Sequence, residues 1–143
     1  MKLTVLFDPQ CGLCWRARRW LSNQSAYVKL EFVGAGSELA RRNYPELDPD
    51  ETRRYLHVVA DDGRVWKGAK AWAMCLWALR RWRGVAMALR SRARLDIAQR
   101  IVMRVSESRY SLSKFFGWTP PAAVKAAEDE CQTGNCELPR TPR

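Results

Sequence analysis

The spacing of apolar and polar positions changes period several times along the chain. Lys2–Phe7, "KLTVLF", is a short β-rich run stopped by Asp8-Pro9, which predicts a strand and then a turn. From Gly12 to Leu21, Leu13, Ala17, Trp20 and Leu21 recur at helical spacing, with Arg16, Arg18 and Arg19 mostly outside that stripe. "YVKLEFV" (27–33) alternates Val28, Leu30 and Phe32 against Lys29 and Glu31, the period of a strand. A short helix over Ser37–Tyr44 is ended by Pro45, because proline disfavours α geometry in the residue before it. "YLHVVADDGRVWKG" (55–68) reads as two strands around Asp61-Asp62-Gly63, where glycine supplies the positive φ of a hairpin turn. Ala69, Trp72, Ala73, Leu76 and Trp77 then form one stripe of a helix over 69–82. Beyond Gly84, Ile97, Ile101, Val102 and Val105 continue the helical period to about Tyr110, and Ile97, Ile101 and Val105 are the expected packing face. From Thr119 the chain turns polar, with "TPP", a short helical pattern over 122–130 and a tail expected to be partly disordered.

The order strand, helix, strand, helix, hairpin, helix is the thioredoxin-like arrangement. The expected fold is α/β, with a central mixed sheet of about four strands flanked by helices and extra helices at the C-terminal end. A length of 143 residues with 47% hydrophobic side chains suits one domain over 1–118 and a tail over 119–143. The longest apolar run, Ala71 to Leu79, is closed by Arg80 and Arg81 and falls short of the roughly 20 residues a membrane span needs. Met1-Lys2 leads directly into "LTVLF" with no small-residue cleavage site, so no secretory signal is expected and the expected compartment is the cytoplasm. There a close cysteine pair is more often catalytic or metal-binding than a structural staple.

Cys11 and Cys14 stand where the first strand turns into the first helix. Only a thiolate attacks a disulfide, and a free cysteine with a pKa near ~8.5 is mostly thiol at neutral pH. Unpaired N–H groups and the macrodipole at a helix start favour negative charge, most directly on Cys11, and Arg16, Arg18 and Arg19 add positive potential nearby. Cys11 is therefore expected to be the exposed, acidic attacking thiol and Cys14 the shielded resolving one. Asp8, three residues before Cys11, has two readings. It takes the Cys14 proton as a general base, or it orders the Asp-Pro turn.

Asp8, Cys11 and Cys14, with "DDGRVWKGAKAW" and "SESRYSLSKFFG" downstream, resemble the DCC family of thiol-disulfide oxidoreductases, named for an Asp-Cys-Cys motif and placed among thioredoxin-like proteins. The resemblance runs from about Leu3 to Trp118 and implies a dithiol site at Cys11 and Cys14 with Asp8 as third motif residue. A thioredoxin proper carries a cis-proline before the hairpin, whereas "TRRYLH" (52–57) has no proline.

The expected function is protein-disulfide reductase chemistry, exchanging disulfides with a protein or a low-molecular-weight thiol, with no cofactor and no metal. Two alternatives stay open. One is a zinc-binding module built from Cys11, Cys14, Cys131 and Cys136. The other is a non-catalytic thioredoxin-like interaction domain. Cys131 and Cys136 otherwise read first as inert tail thiols and second as another redox pair. His57, the sole histidine, and Cys75, set among Trp72, Leu76 and Leu79, read as packing residues. The balance of 25 basic to 15 acidic residues gives +10, concentrated as nine arginines between Arg80 and Arg109 against Asp96 and Glu107. A solvated helix face accounts for that run, and nucleic acid is not an expected partner.

Overall fold

The computed structural model describes residues 1–118. The helix read over 122–130, the tail and its cysteines 131 and 136 lie outside the described residues. Strands β1 (Lys2–Phe7), β2 (Lys29–Gly34), β3 (His57–Ala60) and β4 (Val65–Lys67) form one mixed sheet in the order β2-β1-β3-β4. β1 runs parallel to β2, with Val5 opposite Phe32, and antiparallel to β3, with Val5 opposite Val58. The β3–β4 hairpin turns at Asp61-Asp62-Gly63, where Gly63 takes φ 87° and donates to Ala60 O at 3.0 Å. With helices on both faces, this is the expected thioredoxin-like α/β fold.

Alternation along the strands divides the core between two layers. Leu3, Val5, Val58 and Ala60 face α1 (Gly12–Ser22) and α4 (Ala69–Ala78), packing on Leu21, Ala71, Cys75 and Ala78. Leu6, Val33 and Val59 face the other way onto Ala40 of α2 (Glu38–Asn43). Trp72 and Trp77 pack against the first layer, as their stripe predicts. Cys75 is fully buried, and burial pushes its thiol up to about 12. His57 is buried on β3, with Nδ1 2.8 Å from Tyr55 O.

Three elements differ from the sequence reading. A helix α3 (Pro49–Arg54) precedes β3, opened by the Asp48 carboxylate accepting from Asp50 N at 2.9 Å and by Pro49 in its first turn. Helix α4 stops at Ala78 rather than Trp82, because the chain turns extended at Leu79 and pairs with Ala26. Tyr27 N donates to Ala78 O at 2.8 Å and Arg80 N to Ser25 O at 2.9 Å. After α5 (Arg83–Ala88), the 24-residue α6 (Arg92–Phe115) turns an unexpected face inward. Ile97, Ile101 and Val105 are 58%, 58% and 40% exposed rather than packed. The sheltered stripe is Leu95, Gln99, Val102, Ser106, Arg109 and Ser113, spaced alternately by four and three as an inward helix face must be. Gln99 accepts from Ala69 N at 2.9 Å, which caps α4 from outside. Most of the arginines between Arg80 and Arg109 are exposed, as expected.

Candidate active site

β1 delivers the chain to a tight corner. Asp8 O accepts from Cys11 N at 3.3 Å, and Asp8 Oδ1 accepts from Gln10 N at 3.0 Å. This is the turn-ordering reading of Asp8 made concrete. Cys11 is the N-cap of α1, in extended geometry, with its Sγ accepting from Cys14 N at 3.4 Å. Both cysteines are free thiols, one helical turn apart. A side-chain hydrogen bond from Cys14, aided by the Cys14 N–H and the charge of Arg109, lowers the Cys11 pKa to about 7 against burial and the Asp8 charge. Cys14 moves strongly the other way. It gives its proton to the Cys11 bond, and burial and two neighbouring negative charges oppose its ionisation. The pair thus divides in acidity, with the lower pKa on Cys11.

It does not divide as expected in exposure. Cys11 is 0% exposed, whereas Cys14 is only half-buried. The C-terminal end of α6 lies across the start of α1. Ser113 Oγ accepts from Leu13 N at 3.2 Å, so it takes up one of the amides at the helix start. Trp118 N returns to Ser113 O at 2.7 Å, which lays the Trp118 main chain against Gly12. A Cβ on residue 12 would sit 1.7 Å from the Trp118 carbonyl oxygen. The Arg16 guanidinium rests on the Trp118 ring at 4.4 Å.

The nearby arginines also play different parts from those expected. Arg16 is spent on Trp118, and Arg18 is stacked under aromatic rings. The cation whose charge acts on the thiol pair is Arg109, from α6. Its Nη2 donates to Asp8 Oδ2 at 3.4 Å, and the Tyr110 hydroxyl donates to the same oxygen. Burial, together with the bond to Asp8, keeps the proton on Tyr110, so it remains a donor. Asp8 is 3% exposed. Sequence reading missed Arg109, Tyr110 and Ser113 as site residues. The available signal was the four-three spacing of Val102, Ser106, Arg109 and Ser113, an inward helix face carrying polar groups that need partners.

A cavity of about 200 Å³ opens beside the pair, between α1, the sheet and α6, with Asp8, Cys14 and Arg109 on its wall. Among the described residues no three His, Cys, Asp or Glu side chains gather as a metal site. The zinc alternative needs Cys131 and Cys136, which are not described.

A mixed sheet in this order, with a Cys-x-x-Cys pair opening the helix after β1, defines a thioredoxin-like protein carrying a paired thiol site. The family model of the DCC1-like thiol-disulfide oxidoreductases matches residues 5–115, and the chain belongs to that family. Its general role is therefore that of a thiol-disulfide oxidoreductase. No curated protein and no solved structure matches the chain. No helix among the described residues is long and apolar enough to cross a membrane.

Proposed function

We propose that the protein is a cytoplasmic disulfide reductase working through Cys11, Cys14 and Asp8. The observation that carries this is the hydrogen-bonded thiol pair at the N-cap of α1, with acidity concentrated on Cys11. With a pKa of about 7, Cys11 is about half thiolate at neutral pH, whereas Cys14 is held as the thiol. Cys14 is the more exposed residue, but exposure without thiolate gives no nucleophile. Cys11 therefore attacks once the layer over the start of α1 opens.

Cys11 Sγ bonds to one substrate sulfur as the substrate S–S bond breaks, and the departing thiolate takes a proton from solvent. Loss of the Cys11 charge removes one obstacle to ionising Cys14, whose proton passes to Asp8. Cys14 Sγ then bonds to Cys11 Sγ, and the second substrate sulfur leaves with that proton. Two electrons have moved from the dithiol to the substrate, and the protein holds a Cys11–Cys14 disulfide. The substrate is a disulfide of a protein or of a low-molecular-weight thiol.

Cys14→Ser should trap a covalent adduct on Cys11, because attack proceeds and resolution cannot. Cys11→Ser should form none. An adduct on Cys14 in Cys11→Ser, with none in Cys14→Ser, would reverse the roles and overturn the mechanism.

A further inference from the structure

The cavity beside Cys14 has a charge pattern that disulfide exchange alone does not require. Its wall carries Arg18, Arg53, Arg54 and Arg109 against one carboxylate, Asp8, and Asp8 is already engaged by Arg109 and Tyr110. Arg18 is the one of the four held among three aromatic rings. Its guanidinium lies 5.3 Å from the Phe7 ring centre, 4.9 Å from Trp15 and 5.2 Å from Phe32. Its buried Nε meets no acceptor among the described residues. Burial, unopposed by any carboxylate, lowers its pKa to about 10.

Taking a cation out of water costs free energy that is recovered by pairing it. The three rings return part of that cost through their π faces, but they leave the buried Nε–H donor unused. Much of the rest of the wall is apolar, with Phe7, Leu13, Phe32 and Val102. At ~30 Å³ per water-sized group, about 200 Å³ holds roughly seven such groups, the size of a short acyl chain with its head.

We propose that this cavity binds the carboxylate-bearing half of a small disulfide, with the carboxylate on Arg18, the carbon chain along Phe7 and Phe32, and the sulfur end at the dithiol. The assignment rests on the exchange reaction of the preceding section and names its substrate class. The products are two thiols, the cavity-bound one bearing the carboxylate, and the two electrons come from Cys11 and Cys14, so no further reactant enters the half-reaction.

Two arms test it on the full chain. In the first, hexanoate and hexanol are titrated calorimetrically into the Cys11→Ser/Cys14→Ser variant, which binds without reacting. Hexanoate should bind about tenfold or more tightly than hexanol, because only the anion pairs the half-buried guanidinium. In the second, reduced wild type reacts in a single turnover with 4,4′-dithiodibutyrate, neutral bis(2-hydroxyethyl) disulfide and cationic cystamine. Each rate is normalised to the same disulfide reacting with free dithiothreitol. The dicarboxylate should lead by about tenfold or more, Arg18→Gln should lose that lead, and surface Arg90→Gln should keep it.

Equal loss in Arg90→Gln would assign the preference to net charge and overturn the site. Should Arg18→Gln fail to fold, the comparison of hexanoate with hexanol in the Cys11→Ser/Cys14→Ser variant, where Arg18 is intact, decides alone. Reaction with all three disulfides at similar normalised rates, with no hexanoate preference, would overturn the cavity assignment and leave the oxidoreductase reading standing. Hexanoate binding with no reaction of any disulfide would do the opposite, removing the exchange reaction and with it this choice of occupant.

Discussion

Tyr110, in the last helix, donates a hydrogen bond to Asp8 at the end of the first strand, across 102 positions of the chain. Arg109 donates to the same oxygen and Gln10 N to the other. A carboxylate has about four lone-pair sites, so one on Oδ1 remains for a further proton. Asp8 can therefore hold its turn and still receive a proton from Cys14. Tyr110→Phe should cost about 1–2 kcal/mol, the usual loss when a buried acceptor keeps some partners but not all. Urea denaturation of the reduced protein checks this. An unchanged midpoint would mean that the bond contributes nothing to the fold.

Asp8→Asn keeps the shape of the side chain and its bond to Gln10 N while removing the proton acceptor. Turnover should slow mainly at resolution, so acid-quenched samples should accumulate mixed disulfide on Cys11. Lowered stability with an unchanged resolving rate per folded molecule would restrict Asp8 to ordering the turn.

Arg109→Gln removes a positive charge that lowers the pKa of both thiols. The midpoint of Cys11 ionisation should rise from about 7 toward the ordinary thiol range, so Cys11 should carry less thiolate at neutral pH. Arg109→Lys should restore part of the shift, since the charge returns without the forked geometry. Thiolate absorbance titrated against pH measures this. A midpoint that stays put in the Gln variant would contradict the assigned role.

Gly12→Ala places a methyl group 1.7 Å from the Trp118 carbonyl oxygen, a backbone atom that cannot rotate aside. The segment after α6 should lift from the start of α1, at a cost of about 1–3 kcal/mol for an overpacked contact. Cys11 should then react faster with a bulky alkylating reagent. Loss of stability without faster alkylation would mean that something other than this segment limits access to Cys11.

The strands, the hairpin and α1 were legible because each carries one clear period and one clear stop. Asp8-Pro9 ends β1, and Asp61-Asp62-Gly63 turns the hairpin. The signals of α3 were also present, in Asp48 as cap, Pro49 in the first turn and Arg53-Arg54 in the last. Its six residues were too few to show a period. Helix α6 failed for a different reason. Apolar periodicity selects Ile97, Ile101 and Val105, whereas the inward face is built from Gln99, Ser106, Arg109 and Ser113. Three of those polar groups reach atoms distant in sequence, Gln99 to Ala69 N, Arg109 to Asp8 and Ser113 to Leu13 N. The same gap explains the exposure error at the thiols. Local sequence shows that Cys11 opens a helix, but only the folded chain, with Trp118 laid against the neighbouring Gly12, shows that it is buried.

Rates of alkylation of Cys11 and Cys14, resolved by peptide mass spectrometry across the pH range, test the central claim most directly. Burial slows Cys11 in absolute rate, so the shape of each profile is the informative quantity. The division of one proton between the two sulfurs predicts that Cys11 titrates with a midpoint near 7 while Cys14 stays unreactive well into the alkaline range. Superimposable profiles at the ordinary thiol pKa, or a Cys14 that ionises first, would contradict it.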